Sequence, residues 1–218
     1  MSDRDTMSDR LIRYGVIAGP LFVVSSVVLA LTRPGFDPVR HPASLLSVGT
    51  LGWLQIANFV VCGALFVAAA VGVRQALAGT RAGTWGPILL GAFGVSVVAG
   101  GVFVADPALG FPPGTPAGVP AQMSWHAMLH AVAPVTAFLA LSLACFVFAW
   151  RSIRSGERMW AAVSIATGIG VQILGMLPNV THDGGTYNFI PLWLAVVLGF
   201  GWASIQLARL WQGSTVGR

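Results

Sequence analysis

Six apolar runs divide this chain, each near or above the ~20 residues that carry a helix across a bilayer. They cover about 11–31, 51–73, 86–105, 123–150, 159–177 and 190–211. A soluble domain carries about a quarter charged residues. Here only 9% of residues are charged and 56% are hydrophobic, too few charges to cover a water-facing surface. In lipid every backbone polar group must be satisfied internally, which leaves helices as the reading for runs of this length. The expected fold is all-α, an integral membrane bundle of six transmembrane helices. Residues 1–10 are expected to be a disordered tail, residues 11–212 the transmembrane domain and residues 213–218 a second tail. The first run is too long for a cleavable signal and no small-residue cleavage site follows it, so it is expected to stay as a span.

Orientation follows from arginine, which supplies every basic residue. Arg4, Arg10, Arg13, Arg74, Arg81, Arg151, Arg154, Arg158, Arg209 and Arg218 fall on one side of the expected topology, and only Arg33 and Arg40 on the other. The positive-inside rule puts both termini in the cytoplasm of a multi-pass cell-membrane protein. It also accounts for the net charge of +5 without a nucleic-acid partner, since the arginines sit in short loops. Tryptophans mark the span ends, with Trp53, Trp125 and Trp193 outside and Trp85, Trp150, Trp160 and Trp211 inside. Cys62 and Cys145 lie within spans and read as packing residues. Glycines 91, 94, 100 and 101 should let the third span approach a neighbour closely.

The informative stretch is Ser124-Trp125-His126-Ala127-Met128-Leu129-His130, which opens the fourth span. His126 and His130, four residues apart, share one helix face. His41 and His182 fall on the same outer side, as do Asp37, Asp106 and Asp183. Ionisable groups entering a span are usually functional. The sharper reading is a divalent metal such as zinc held by His41, His126, His130 and Asp106, with an open position that activates water. The plainer one puts His126 among lipid headgroups and bonds His130 to a carbonyl of a neighbouring helix or loop. Asp106 and His130 are the candidate catalytic groups. Asp37, Arg40, Asn58, Trp53 and Trp125 are candidate binding residues. The plainer roles are a turn at Asp37-Pro38 with an Asp37–Arg40 salt bridge, a turn or cap bonding nearby backbone amides at Asp106, interhelical hydrogen bonds from Asn58 and Gln172, and interfacial anchoring. The proline-rich loop 106–122 should be ordered against the bundle, and His41–Val48 could form a short interfacial helix.

Three blocks carry a family resemblance. They are Gly35-Phe36-Asp37-Pro38-Val39-Arg40-His41-Pro42-Ala43-Ser44, Gly52-Trp53-Leu54-Gln55-Ile56-Ala57-Asn58-Phe59, and Gly101-Val102-Phe103-Val104-Ala105-Asp106-Pro107-Ala108-Leu109-Gly110 with Pro112, Gly114 and Pro116 after it. With His126 and His130, these resemble the DUF998 family of bacterial and archaeal membrane proteins, well over Leu11 to Arg154 and weakly over the last two spans. The resemblance implies about six transmembrane helices and no established activity. Relatives often carry an acid after the second histidine, where this chain has Ala131. His182 is outside the pattern. The HxxxH chemistry is also similar to that of the membrane hydrolases that include alkaline ceramidases and adiponectin-receptor-like proteins, an analogy of site and not of fold.

These features frame three expectations. One is a membrane enzyme acting on a lipid-like or isoprenoid-like substrate, by metal-assisted hydrolysis or with Asp106 as an acid, as small membrane terpene cyclases work. The second is a transporter or sensor whose histidines titrate near neutral pH. The third is a non-catalytic structural membrane protein. Membrane lipids are the expected partners in all three.

Overall fold

The computed structural model describes residues 3–176 and 187–216, with side chains placed at 7–176 and 187–213. Six α-helices follow one another: α1 (Asp3–Thr32), α2 (Gly52–Ala76), α3 (Ala82–Val102), α4 (Trp125–Arg154), α5 (Arg158–Met176) and α6 (Ile190–Val216). All six are long and apolar enough to cross a membrane. The stretch 1–10, expected to be disordered, is helical from Asp3 within the described residues. One reason is a tether: buried Ser8 donates to the Gly72 carbonyl of α2 at 2.9 Å. The short helix expected near His41–Val48 is a single 3-10 turn, Ala43–Ser47.

Each helix packs mainly on its neighbours in sequence, and α6 closes back onto α1. The result is a ring of six helices. Phenylalanines fill its axis. Phe22 stacks on Phe200 at 4.2 Å, and Phe93 meets both Phe66 and Phe200 edge-on at 5.1 Å. The outside is apolar too, exposing Val24, Leu31, Ile88, Val95, Leu139 and Ile173. Helices apolar on every face belong in lipid. The close approach expected of α3 occurs against α2. A Cβ on Gly63 would lie 2.6 Å from the Gly94 carbonyl, and one on Gly94 would lie 2.7 Å from that of Gly63.

Proline inside a helix removes a backbone donor and leaves a carbonyl open. Pro87 in α3 opens the carbonyl of Gly83, and the Arg74 guanidinium closes it at 2.7 Å. That contact lets α3 begin at Ala82, ahead of the apolar run that starts near 86.

One end of the ring is capped. The loop after α1 and the loop after α3 meet through Leu45, Val48, Ala108, Leu109 and Phe111, with Phe36, Tyr187 and Phe189 against them. The proline-rich loop is therefore ordered against the bundle, as its composition implied. It turns back sharply at Leu109, where φ is 58°. Two hydrogen bonds, Leu109 N–H to Gly118 O and Gly110 N–H to Pro116 O, both 2.9 Å, hold the turn.

Candidate functional site

Four of the candidate residues, Asp37, His41, Asp106 and His130, hold the capped end together. At the α3–α4 junction, two serve as helix caps. The last carbonyls of α3 lack intrahelical partners, as at any helix C-terminus. His130 Nδ1 lies 2.7 Å from Phe103 O and 3.1 Å from Gly100 O. Carbonyls only accept, so Nδ1 carries the proton and donates. The first amides of α4 are closed from the other side. Ser124 is the N-cap, its hydroxyl accepting from Ala127 N–H at 3.1 Å. Its own amide donates to Asp106 Oδ2 at 2.7 Å. Asp106 thus plays, from the preceding loop, the part that a glutamate inside the helix plays in a capping box.

Those bonds fix the charge on Asp106. Donation from Ser124 backbone and side chain holds its carboxyl below the usual carboxylate range, against a smaller opposing effect of desolvation, with His126 adding to the lowering. A carboxyl kept ionised is a poor acid, so the geometry works against Asp106 as the proton donor expected in the cyclase-like reading. The same bonds give a stability test. A depressed folded pKa contributes stability above the unfolded pKa, lost as pH falls through the folded one. The acid limb of a thermal-unfolding series should therefore be flatter in Asp106→Asn than in wild type. Ser124→Ala should cost about 1 kcal/mol at neutral pH. Parallel acid limbs would show that the carboxylate does not serve the cap.

His41 is 3% exposed and wholly engaged. The Asp37 amide donates to Nδ1 at 2.9 Å, so Nε2 bears the proton and faces the Leu109 carbonyl at 3.0 Å. The ring therefore ties one loop to the other, with Phe36 and Phe111 beside it. The turn read at Asp37-Pro38 is present, with Val39 N–H donating to Asp37 Oδ1 at 2.9 Å. The Asp37–Arg40 salt bridge is absent among the described residues, and Arg40 is exposed. α6 joins the cap through Trp193, whose indole N–H donates to His41 O at 3.1 Å.

The other candidates disperse. His126 is exposed, its ring tilted against that of Trp125 with 3.6 Å between centroids. Trp53 and Trp125 face outward, as interfacial anchors do. Asn58 belongs to a buried network between α1 and α2. Its amide lies 3.1 Å from Phe22 O, 3.2 Å from Ser26 Oγ and 3.3 Å from Gln55 Oε1. Gln172, expected to bond between helices, has no hydrogen-bond partner among the described residues. His182 and Asp183 lie outside the described residues. The four residues expected to share a metal do not form one cluster: no group of three or more histidine, cysteine or acidic side chains suited to a metal occurs among the described residues. His41 has both nitrogens engaged, whereas His130 commits Nδ1 and keeps Nε2.

Beneath the cap, inside the ring, lies a cavity of about 100 Å³. Phe22, Phe59, Phe93 and Phe200 line it from the axis, and Pro42 and Ala43 of the first loop from the cap. His130 is the one titratable side chain on its wall; Ser44 and Ser96 add hydroxyls. With Nδ1 committed to α3, the neutral imidazole keeps Nε2 as an acceptor without a hydrogen bond among the described residues. Sequence reasoning found His130 but not the phenylalanines and Ala133 around it. Their spacing in the first, second, third, fourth and sixth runs looks like that of any core residue.

No solved structure and no curated protein matches the chain. The sequence model of a family described as a protein of unknown function, DUF998, matches residues 16–209. That match takes in all three blocks around Asp37, Asn58 and Asp106 and most of every span, and the chain belongs to the DUF998 family.

Proposed function

We propose that this is a multi-pass protein of the cell membrane, with both termini cytoplasmic, that binds the hydroxyl-bearing end of a lipid-like or isoprenoid-like molecule in the cavity under the cap. The observation that carries this reading is the cavity wall: phenylalanine and alanine around one imidazole whose free nitrogen can only accept in the neutral ring. An alcohol supplies the matching donor, and an apolar chain supplies the rest. Size sharpens the reading. A cavity of ~150 Å³ takes benzene, so one of about 100 Å³ takes a few carbons and their hydroxyl, not a whole lipid. Half-buried Pro134 of α4 and Leu192 and Val196 of α6 flank it, and the tail would pass between them into the bilayer. If the bound molecule reacts, His130 Nε2 is the group placed to take its proton.

Farnesol is a suitable probe, with the hydrocarbon farnesene as its control. Purified protein in detergent should bind farnesol saturably, and Ala133→Phe, which fills the cavity, should abolish binding. His130→Asn keeps an N–H donor near the α3 carbonyls and removes the Nε2 acceptor. It should weaken farnesol about tenfold, the worth of one hydrogen bond, and leave farnesene unchanged. Equal farnesol binding by wild type and Ala133→Phe would rule the cavity out as the site.

A further inference from the structure

A second cavity, of about 310 Å³, opens at the arginine-rich end, among the ends of α2, α4 and α6 and the start of α5. Its wall is polar, with Arg151, Ser152, Glu157, Gln206 and Arg209. None of these was singled out by a motif, and none takes part in the cap at the other end.

Its donors outnumber its acceptors. Gln206 is 4% exposed, and its Oε1 accepts from the Trp160 indole N–H at 2.6 Å. An indole nitrogen only donates, which fixes the amide's orientation. The Gln206 NH₂ is then left with no acceptor among the described residues. Ser152, 2% exposed, brings a hydroxyl likewise without a partner among the described residues. Arg151 is half-buried, and its guanidinium makes no ion pair or hydrogen bond among the described residues. Arg209 is spoken for in part, bonding Glu157 at 2.6 Å and lying 4.7 Å over the Trp160 ring. Glu157 thus offsets Arg209, and Arg151 leaves the wall with one net positive charge.

Unpartnered donors on a cavity wall are free to bond a ligand, and an uncompensated guanidinium calls for an anion. A planar guanidinium fork suits phosphate best, since it can give two parallel hydrogen bonds to one phosphate. We propose that this cavity binds a phosphate group, with Arg151 as the charged contact and Gln206 and Ser152 as neutral donors. Its volume is at the lower end of small-ligand sites, which run from ~300 Å³. It suits a single headgroup or a small phosphate ester. At a bundle end, either the headgroup of an anionic phospholipid or a soluble phosphate ester can reach it.

The test uses the full chain in detergent, with thermal unfolding followed as ligand is titrated. One arm adds dioleoyl phosphatidic acid, with dioleoylglycerol as the control that lacks phosphate. The other adds glycerol 3-phosphate. At least one should stabilise wild type, and Arg151→Gln should weaken that ligand about tenfold or more, the worth of a charge-assisted hydrogen bond. Arg154→Gln removes the same charge from an exposed side chain over Trp150, outside the cavity. It should stay within about twofold of wild type, since exposed charges count little. Response to the lipid alone assigns the headgroup, and response to glycerol 3-phosphate assigns a soluble ester. The proposal fails if neither probe stabilises wild type more than Arg151→Gln. It fails equally if Arg154→Gln loses as much as Arg151→Gln, since general surface charge then explains the binding.

Discussion

Arg33→Met lowers the unfolding temperature by about ten degrees. Arg33 follows directly on α1 and is 8% exposed. Its guanidinium donates to Leu46 O at 3.0 Å and Val48 O at 2.7 Å, and lies 5.2 Å over the Phe111 ring. No carboxylate among the described residues pairs with it. The charge is held by carbonyl dipoles and a ring face alone, and it closes two carbonyls that the 3-10 turn leaves open. Methionine keeps the apolar stem and removes both donors. Each lost hydrogen bond to a charged group costs about 1.5–3 kcal/mol, with the orphaned carbonyls left buried. The sum is roughly 3–6 kcal/mol, and for a chain of this size each kcal/mol moves Tm by about 2–4 °C. Arg33→Lys should fall between, because a single ammonium cannot reproduce the fork. Thermal unfolding in detergent reads both variants. If Arg33→Met stays within two degrees of wild type, the two loops are held by something other than this guanidinium.

Arg33 also marks where reading the sequence stops. In the arginine pattern it is one of two exceptions, and a topology rule has nothing more to say about it. Its role depends on Leu46, Val48 and Phe111, which only the folded cap brings to it. The six helices were legible because length and apolarity are local; their ends shifted by a few residues, and at two of the starts a side chain from elsewhere takes part, Ser8 at α1 and Arg74 at α3. The histidines were legible in part. A spacing of four places His126 and His130 on one face but does not say what the face meets. One ring lies on Trp125 at the surface; the other closes α3 and lines the cavity. His41 pairs with Leu109, 68 residues away, across a loop whose reversal no pattern announced. Asp106 was legible as a capping residue bonding nearby amides, and it closes the Ser124 amide. The Gln206 cavity was not legible: a glutamine, a serine and two arginines near span ends are ordinary in a membrane chain.

Gly19→Val opens the ring. Where α1 meets α6, the Ser204 hydroxyl accepts from Gly19 N–H at 3.1 Å and donates to Gly15 O at 3.0 Å. In a helix those two groups lie one turn apart on the same ladder, and one serine, from 185 residues away, bonds both. The next rung of that ladder has no donor, because Pro20 has no N–H. Gly15-x-x-x-Gly19 is a close-packing spacing that marks this face. A Cβ at Gly19 would lie 2.4 Å from both Phe200 O and Ser204 Oγ. The first is backbone and cannot swing aside, so α6 must retreat and give up both serine bonds and the 4.2 Å Phe22–Phe200 stack. Overpacking of this kind costs about 3 kcal/mol, and a lost interhelical hydrogen bond adds ~0.6 kcal/mol on average. Even Gly19→Ala should destabilise, although alanine favours a helix over glycine by about 1 kcal/mol. Ser204→Gly should not rescue it, since the Phe200 carbonyl remains. Unfolding in sodium dodecyl sulfate gives the sign directly. A Gly19→Ala protein as stable as wild type would mean that α1 and α6 do not meet as described.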